Sequence, residues 1–403
     1  MSDVLLLTHR IPWPPNKGDK IRSYHIFRHL AEQYRLHLGT FIDSADDWRH
    51  LPELEKRCES ICVRPAGYLR TVLRGLQAIA TGRSVTMSYY GDRKLSRWVS
   101  DLNQRCRVGS VLVFSTGMAP YVAALPQSAR TVLDMVDVDS EKWREYTRLN
   151  VWPRSWLYDR EARLLSEAET AQISNFDYTL LISEDEAELL RKRSGNQSQK
   201  IQVMPNGVDS DYFSTRAEYS NPYSNDTTVI VFTGAMDYWA NMEGVTWFAR
   251  SVLPMIRKQV AKAQFFIVGS NPGSDVRALA ELPGVVVTGR VPDVRPYLAH
   301  AHITVAPLRV ARGLQNKVLE AMAMDKPVVA TSAAMRGIDY RGPGIGIADT
   351  PEQFADLVLR QLTATVVLAN RDHVVDHFSW HAALTHLDRV LAGEKDTAEV
   401  ARV

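Results

Sequence analysis

Residues 303–331 read ITVAPLRVARGLQNKVLEAMAMDKPVVAT, and this stretch decides the architecture. It opens on a short apolar run at 303–306 and passes through a loop containing Gly313. A helical pattern follows at 317–324, and a second apolar run closes the stretch at 328–331. Short, nearly continuous apolar runs separated by a helix are the pattern of buried parallel strands joined by a crossover.

The same stretch carries the strongest chemical signal. Residues 313–316 place unpaired backbone N–H groups at a helix N-terminus, where a diphosphate would be favoured. Arg309, Arg312 and Lys317 add positive charge at an end the helix dipole already makes positive, so an anion is needed to account for them. Arginine suits bidentate phosphate contacts, and lysine acts as a point charge. Glu320 lies about one turn inside, where its oxygens could accept bonds from ribose hydroxyls. The competing interpretation is a basic surface loop, which leaves three clustered cations unexplained.

Working outward, the pattern repeats through the chain. Strand candidates in the first half are 4–7, 36–41, 61–63, 111–115, 131–134 and 178–182, with helical stretches such as 20–34 and 158–174 between them. In the second half they are 229–233, 265–268, 285–288, 303–306, 328–331 and 345–348, with helices at 243–259, 294–300 and 317–324. Two doubly wound α/β units are expected, joined across the polar stretch 205–226. A last helix, 379–391, has no strand after it and must pack elsewhere. Ligands of open α/β sheets bind at the carboxyl ends of strands, so the chemistry is sought in the loops after them.

Composition agrees. The chain has 403 residues, too many for one ordinary core. Lys plus Arg total 48 against 46 Asp plus Glu, a formal charge of +2, which argues against a nucleic-acid binder. Cys58, Cys62 and Cys106 match no zinc or redox spacing and are read as reduced thiols, the first two able to share a helix face. The N-terminus does not read as a signal peptide and no run is long enough to span a membrane, so a cytoplasmic protein is expected.

Four further segments bear on chemistry. The loop THRIPWPPNKGD, residues 8–19, lacks a G-x-G-x-x-G but places Gly18 just before a helix, where backbone could approach a phosphate. Asp137 and Asp139 form a D-x-D, a carboxylate pair suited to a hard cation but common by chance. His373, His377 and His381 sit four apart, but Phe378-Ser379-Trp380 reads as a helix start that breaks the stripe. Leu69, Val72, Leu73, Leu76 and Ile79 make an apolar stripe beside Arg70, Arg74 and Arg83. That stripe fits a core-facing helix or one lying on an anionic membrane surface.

These blocks, in order, resemble glycosyltransferase family 4, the retaining GT-B enzymes, over about residues 3–390. The resemblance rests on LISEDE with IQVMPNGVD at 181–186 and 201–209, on VFTG with GRVPD at 231–234 and 289–293, and on NKVLEAMA at 316–323. Within the family the chain is most similar to bacterial sugar transferases of exosortase and exopolysaccharide gene clusters, through DMVDVDS and RGLQNKVLEAMAM. The resemblance implies two Rossmann-like domains facing a cleft: residues 1–207 for the acceptor, 208–375 for the nucleotide-sugar donor, and a helix at 376–392 returning to the first. It implies that Glu320 contacts the ribose and that the turn 289–293, with Arg290 and Val291, lies near the base. Gly18 falls in the loop that closes on the donor, and the Asp137 region falls where the family shapes the acceptor site. The family's first donor-site glutamate is replaced by Arg312. The loop after Gly234, AMDYWANMEG, lacks the usual Arg and Lys. Asp325 replaces a glycine whose backbone is often left-handed.

The function so implied is a hexosyltransferase-type transfer from a nucleoside-diphosphate sugar to a hydroxyl of a glycan or lipid-linked acceptor, with no metal or other cofactor. Asp137, Arg312 and Lys317 are the candidate catalytic residues, and Gly18, Gly234, Arg290, Val291, Gly313, Leu314, Asn316 and Glu320 the donor-binding ones. The partners expected are the donor and acceptor, with peripheral membrane contact and no nucleic acid. A nucleotide-sugar epimerase and a non-catalytic nucleotide- or sugar-binding protein stand as alternatives.

Overall fold

The apolar runs form thirteen strands among the described residues of the computed structural model, which are 2–15, 18–66, 68–126, 128–224, 226–311, 313–364 and 368–393. In the first half these are β1 (Asp3–Thr8), β2 (Arg35–Ile42), β3 (Ser60–Pro65), β4 (Val108–Phe114), β5 (Arg130–Val136), β6 (Tyr178–Leu181) and β7 (Ile201–Val203). They make one sheet in the order β3-β2-β1-β4-β5-β6-β7, with every pairing parallel. Every residue of β1 is buried. A strand covered by helices on both faces has no solvated side, so its sequence does not alternate.

The second half repeats the construction with β8 (Thr228–Thr233), β9 (Ala263–Val268), β10 (Val285–Gly289), β11 (Ile303–Ala306), β12 (Val328–Ala330) and β13 (Ile345–Ile347). Their order is β10-β9-β8-β11-β12-β13, again all parallel. Val231, Phe232, Val305, Leu319 and Met322 lie in its continuous core. Both sheets are Rossmann-like.

The chain divides into two compact units. The first comprises Met1–Pro205 with Leu384–Val403, and the second Asn206–Ala383. The helix Trp380–Ala392 therefore starts in the second unit and ends in the first, where His29 Nε2 meets Asp388 Oδ1 at 2.8 Å.

Three local readings are sharpened. The helix expected at 243–259 begins four residues earlier and is not uniform: Trp239–Trp247 leads into a wider π turn, Phe248–Val252, and then Leu253–Gln259. Pro254 at the start of the last segment lacks an N–H and crowds the carbonyl four residues back, which accounts for the widened turn. Asp325 adopts φ 51°, a left-handed conformation that Asp tolerates better than most side chains. Cys58 and Cys62 share no helix face, because Cys58 precedes β3 and Cys62 lies within it.

Candidate functional site

In the second sheet the chain runs outward in opposite directions from β8 and β11, which pair with each other. The loops leaving such neighbouring strands diverge and open a crevice at their carboxyl ends. Here the loops after β8, β9, β10 and β11 enclose a pocket of about 530 Å³. Thr233, Gly234 and Ala235 come from the first loop, Gly269 and Ser270 from the second, Arg290 and Val291 from the third, and Leu314, Asn316, Lys317 and Glu320 from the fourth with its helix. Phe213, Asn241, Val268 and Val294 complete the wall. The volume suits a small ligand. The loops meet closely: a Cβ on Gly269 would fall 1.6 Å from the Gly234 carbonyl oxygen, so only glycine lets the backbones approach.

Lys317 and Glu320 stand three residues apart on the helix Asn316–Ala323, on one face. The Lys317 ammonium donates to Asn241 Oδ1 at 3.0 Å and Gln315 Oε1 at 3.3 Å, and lies 5.5 Å from the centre of the Phe232 ring. Asn241 is buried, and its Nδ2 donates to the Ala235 carbonyl at 2.8 Å. One amide thus fixes both the β8 loop and the lysine. Burial lowers the Lys317 ammonium to about 8, with Glu320 opposing the shift. Burial raises the Glu320 carboxyl to about 7, with Lys317 opposing it. Glu320 keeps part of its surface open to the pocket, yet protein encloses the carboxyl closely enough to disfavour its charge. Among the described residues its carboxylate has no hydrogen-bond or ion-pair partner.

Two more polar atoms of the wall are buried without partners, Thr233 Oγ1 and Asn316 Oδ1. Buried polar atoms are nearly always paired, so orphans lining a cavity point to a ligand that pairs them. The wall therefore offers a cation, a carboxylate and unsatisfied polar groups to something polar and anionic.

Of the residues singled out in the sequence, the pocket brings together Gly234, Arg290, Val291, Leu314, Asn316, Lys317 and Glu320. Gly313, with φ 60°, shapes the loop but is not in the wall. Arg312 lies outside the described residues. Arg309 is committed elsewhere, its Nε donating to Glu243 Oε1 at 2.7 Å. Asn241, Phe213 and Gly269 were not anticipated. The glycine ending each of FTG and IVG was a readable signal for the β8 and β9 loops.

Gly18 and Asp137 belong to the first unit. Gly18 is the first residue of the helix Gly18–Gln33. Asp137 follows β5, where Val136 holds φ 68°. A β-branched residue in that region is strained. Asp134 anchors the segment: its carboxylate accepts from Arg22 Nε at 2.8 Å and Nη2 at 3.1 Å, with both side chains fully buried. The D-x-D carboxylates accept from the Lys142 ammonium, at 2.8 Å to Asp137 and 3.0 Å to Asp139. Burial alone would lower that ammonium, but Asp139 and Asp137 outweigh it and hold it above its ordinary value. One ammonium thus bridges both carboxylates.

Asp3, His37 and Cys106 also approach one another, at the amino-terminal edge of the first sheet. There Asp3 accepts from Arg35 and meets His37 Nε2 at 3.1 Å, while His37 Nδ1 meets Ser60 Oγ at 2.8 Å. The network is satisfied by its own members. His373 and His377 have ring centres 4.5 Å apart, and the extended Ser379 places His381 on the next helix. Burial pushes the Cys58 thiol up to about 12, with the Glu55 charge adding to it.

Residues 227–364 match the family described as glycosyl transferases group 1. The second unit is a glycosyltransferase domain. No curated protein matches the chain. Among solved structures, Anabaena HepE in complex with UDP is similar at a TM-score of 0.65 and 13% identity, over 98% of this chain and 100% of that one. A glycosyltransferase from Rickettsia africae gives 0.63 and 13%, over 97% and 98%. Sucrose-phosphate synthase from Thermosynechococcus elongatus gives 0.61 and 16%, over 98% and 99%. The whole chain thus has the two-domain GT-B fold, and the pocket sits within the glycosyltransferase domain. No helix among the described residues is long and apolar enough to cross a membrane.

Proposed function

We propose that this protein transfers a sugar from a nucleoside-diphosphate sugar to a hydroxyl of a glycan or lipid-linked acceptor. The reaction retains the anomeric configuration and uses no metal, and it serves bacterial exopolysaccharide or cell-surface glycan synthesis, as the sequence resemblance to family 4 implies. The observation that carries the reading is the pocket that sets Lys317 and Glu320 beside the unpartnered Thr233 and Asn316 oxygens. Glu320 accepts from the ribose hydroxyls. Lys317 and the backbone N–H groups of 313–316 face the diphosphate, and Arg312 is assigned to it by its place in the sequence.

As the bond between the anomeric carbon and the diphosphate breaks, charge accumulates on the leaving oxygen. A cation and N–H groups already fixed around that oxygen stabilise it without rearrangement. The acceptor hydroxyl forms the new bond to the anomeric carbon, and its proton passes to the departing phosphate. Asp137 is assigned to the acceptor side. The metal-free reading is supported by the Lys142 ammonium between Asp137 and Asp139. Uracil is the first base to test, because HepE binds UDP and UDP-glucose.

A thermal-shift panel of UDP, GDP, ADP and dTDP identifies the base, since a ligand that binds only the folded state raises its stability. Transfer from the matching donor is then measured with and without EDTA. Donor turnover without any acceptor would indicate an epimerase, and binding with no transfer to any glycan would indicate a non-catalytic binding protein.

A further inference from the structure

The first unit carries a surface that the donor pocket does not explain. The helices Asp139–Leu149 and Arg154–Asn175 form a hairpin, with Trp143 and Tyr158 ring centres 5.5 Å apart. At its tip Val151 is 83% exposed, Trp152 79% and Trp156 57%. The end of the helix Tyr68–Ala80 adjoins this surface: Arg160, one turn after Trp156, donates through Nη2 to the carbonyls of Ala78 at 3.1 Å and Arg83 at 3.0 Å. Glu161 beside it accepts from the backbone N–H groups of Val85 and Thr86. On that helix Leu76 is 60% exposed, and Ile79 is also exposed. The side chains of residues 68–73 lie outside those described.

Single exposed apolar side chains are ordinary, but two tryptophans, a valine, a leucine and an isoleucine on one rigidly tied surface are not. Exposed arginines outnumber acids at its rim, where exposed Asp159 stands one turn after Trp156. Between residues 146 and 157 the only charged residues are Arg148 and Arg154, both exposed, and Arg83 is exposed beside them. Among the described residues none of the three has an acidic partner. Tryptophan favours the boundary between lipid and water, where its ring meets hydrocarbon and its N–H stays wet. Arginines beside it are attracted to anionic headgroups. A second copy of the chain fits less well, because a two-fold contact through this tip would set Arg148 and Arg154 against the same cations.

We propose that this tip, with Trp152 and Trp156 entering the headgroup layer and Arg83, Arg148 and Arg154 at its rim, docks the protein on an anionic membrane surface. The proposal does not depend on what the donor pocket binds.

The test is sedimentation of the full chain with vesicles of phosphatidylcholine alone and of equimolar phosphatidylcholine and phosphatidylglycerol. Binding is expected to the mixed vesicles only and to fall with added salt. Arg148→Gln with Arg154→Gln should weaken it roughly 30-fold. Trp152→Ser with Trp156→Ser should abolish it while leaving the melting temperature unchanged, because both side chains are exposed. Bromine-labelled lipid should quench tryptophan emission in the wild type and much less in that variant. Equal sedimentation of wild type and the tryptophan variant would overturn the proposal. So would a wild type that ignores vesicles but forms a dimer that the tryptophan variant loses, which would make the surface a contact between copies.

Discussion

Donor binding should pass through a maximum near neutral pH, because the two groups proposed to meet the donor are displaced toward each other. Glu320 must be ionised to accept from ribose hydroxyls, and burial has raised it to about 7. Lys317 must be protonated to meet phosphate, and burial has lowered it to about 8. At pH 6 about a tenth of Glu320 is ionised, and at pH 9 about a tenth of Lys317 is protonated. Apparent affinity at either pH should therefore be about tenfold weaker than for a fully competent site. The signs of the linked protons differ. Binding releases a proton from Glu320 on the acid side and takes one up on Lys317 on the alkaline side. Stability of the free protein follows the same groups: it declines as pH rises from the ordinary carboxyl range through 7, and recovers as pH rises from 8 toward the ordinary lysine range. The ligand should thus raise the melting temperature most between pH 7 and 8. Calorimetric titration with UDP-glucose is the assay, because its diphosphate carries no group titrating in this range. Glu320→Gln should remove the acid limb and Lys317→Met the alkaline limb. A profile flat from pH 6 to 9, or one whose limbs survive these substitutions, would refute the reasoning.

Two substitutions probe the scaffold behind the sites. Asp134→Ala leaves the buried Arg22 guanidinium without its carboxylate and should destabilise the first unit by about 3–5 kcal/mol, read by urea unfolding. Gly269→Ala drives a methyl into the Gly234 carbonyl and should cost about 1–3 kcal/mol or more while disrupting nucleotide binding, read by melting and by UDP-glucose titration.

Much of this arrangement was legible in the residues, for physical reasons. Parallel strands covered on both faces leave unbroken apolar runs, so β1, β8 and β11 could be read directly. β7 spans only Ile201–Val203 with a glutamine in the middle, too little to stand out. The segment proposed for the donor stood out because glycine, cations and a glutamate occur together within nine residues. Asn241 could not be found that way, since its role depends on the fold bringing the helix after β8 beside Lys317. Arg309 looked equivalent to Lys317 in sequence, but its charge is taken up by Glu243. The contacts of the D-x-D were hidden for a similar reason, with Lys142 one turn along the following helix and in reach of both carboxylates. The exposure of Trp152 and Trp156 had no signature in composition, because an isolated tryptophan reads alike in a core and on a surface.

The claim at the centre is that the pocket around Lys317 and Glu320 holds the nucleoside diphosphate of a sugar donor. The most direct measurement is titration of UDP, and of the other three nucleoside diphosphates, into the wild type and Glu320→Ala. The account predicts that one nucleotide stabilises the wild type, by about 2.7 kcal/mol at a hundredfold excess over Kd. It also predicts that Glu320→Ala keeps its fold by circular dichroism and loses that response. A variant that binds the same nucleotide with unchanged affinity would contradict it.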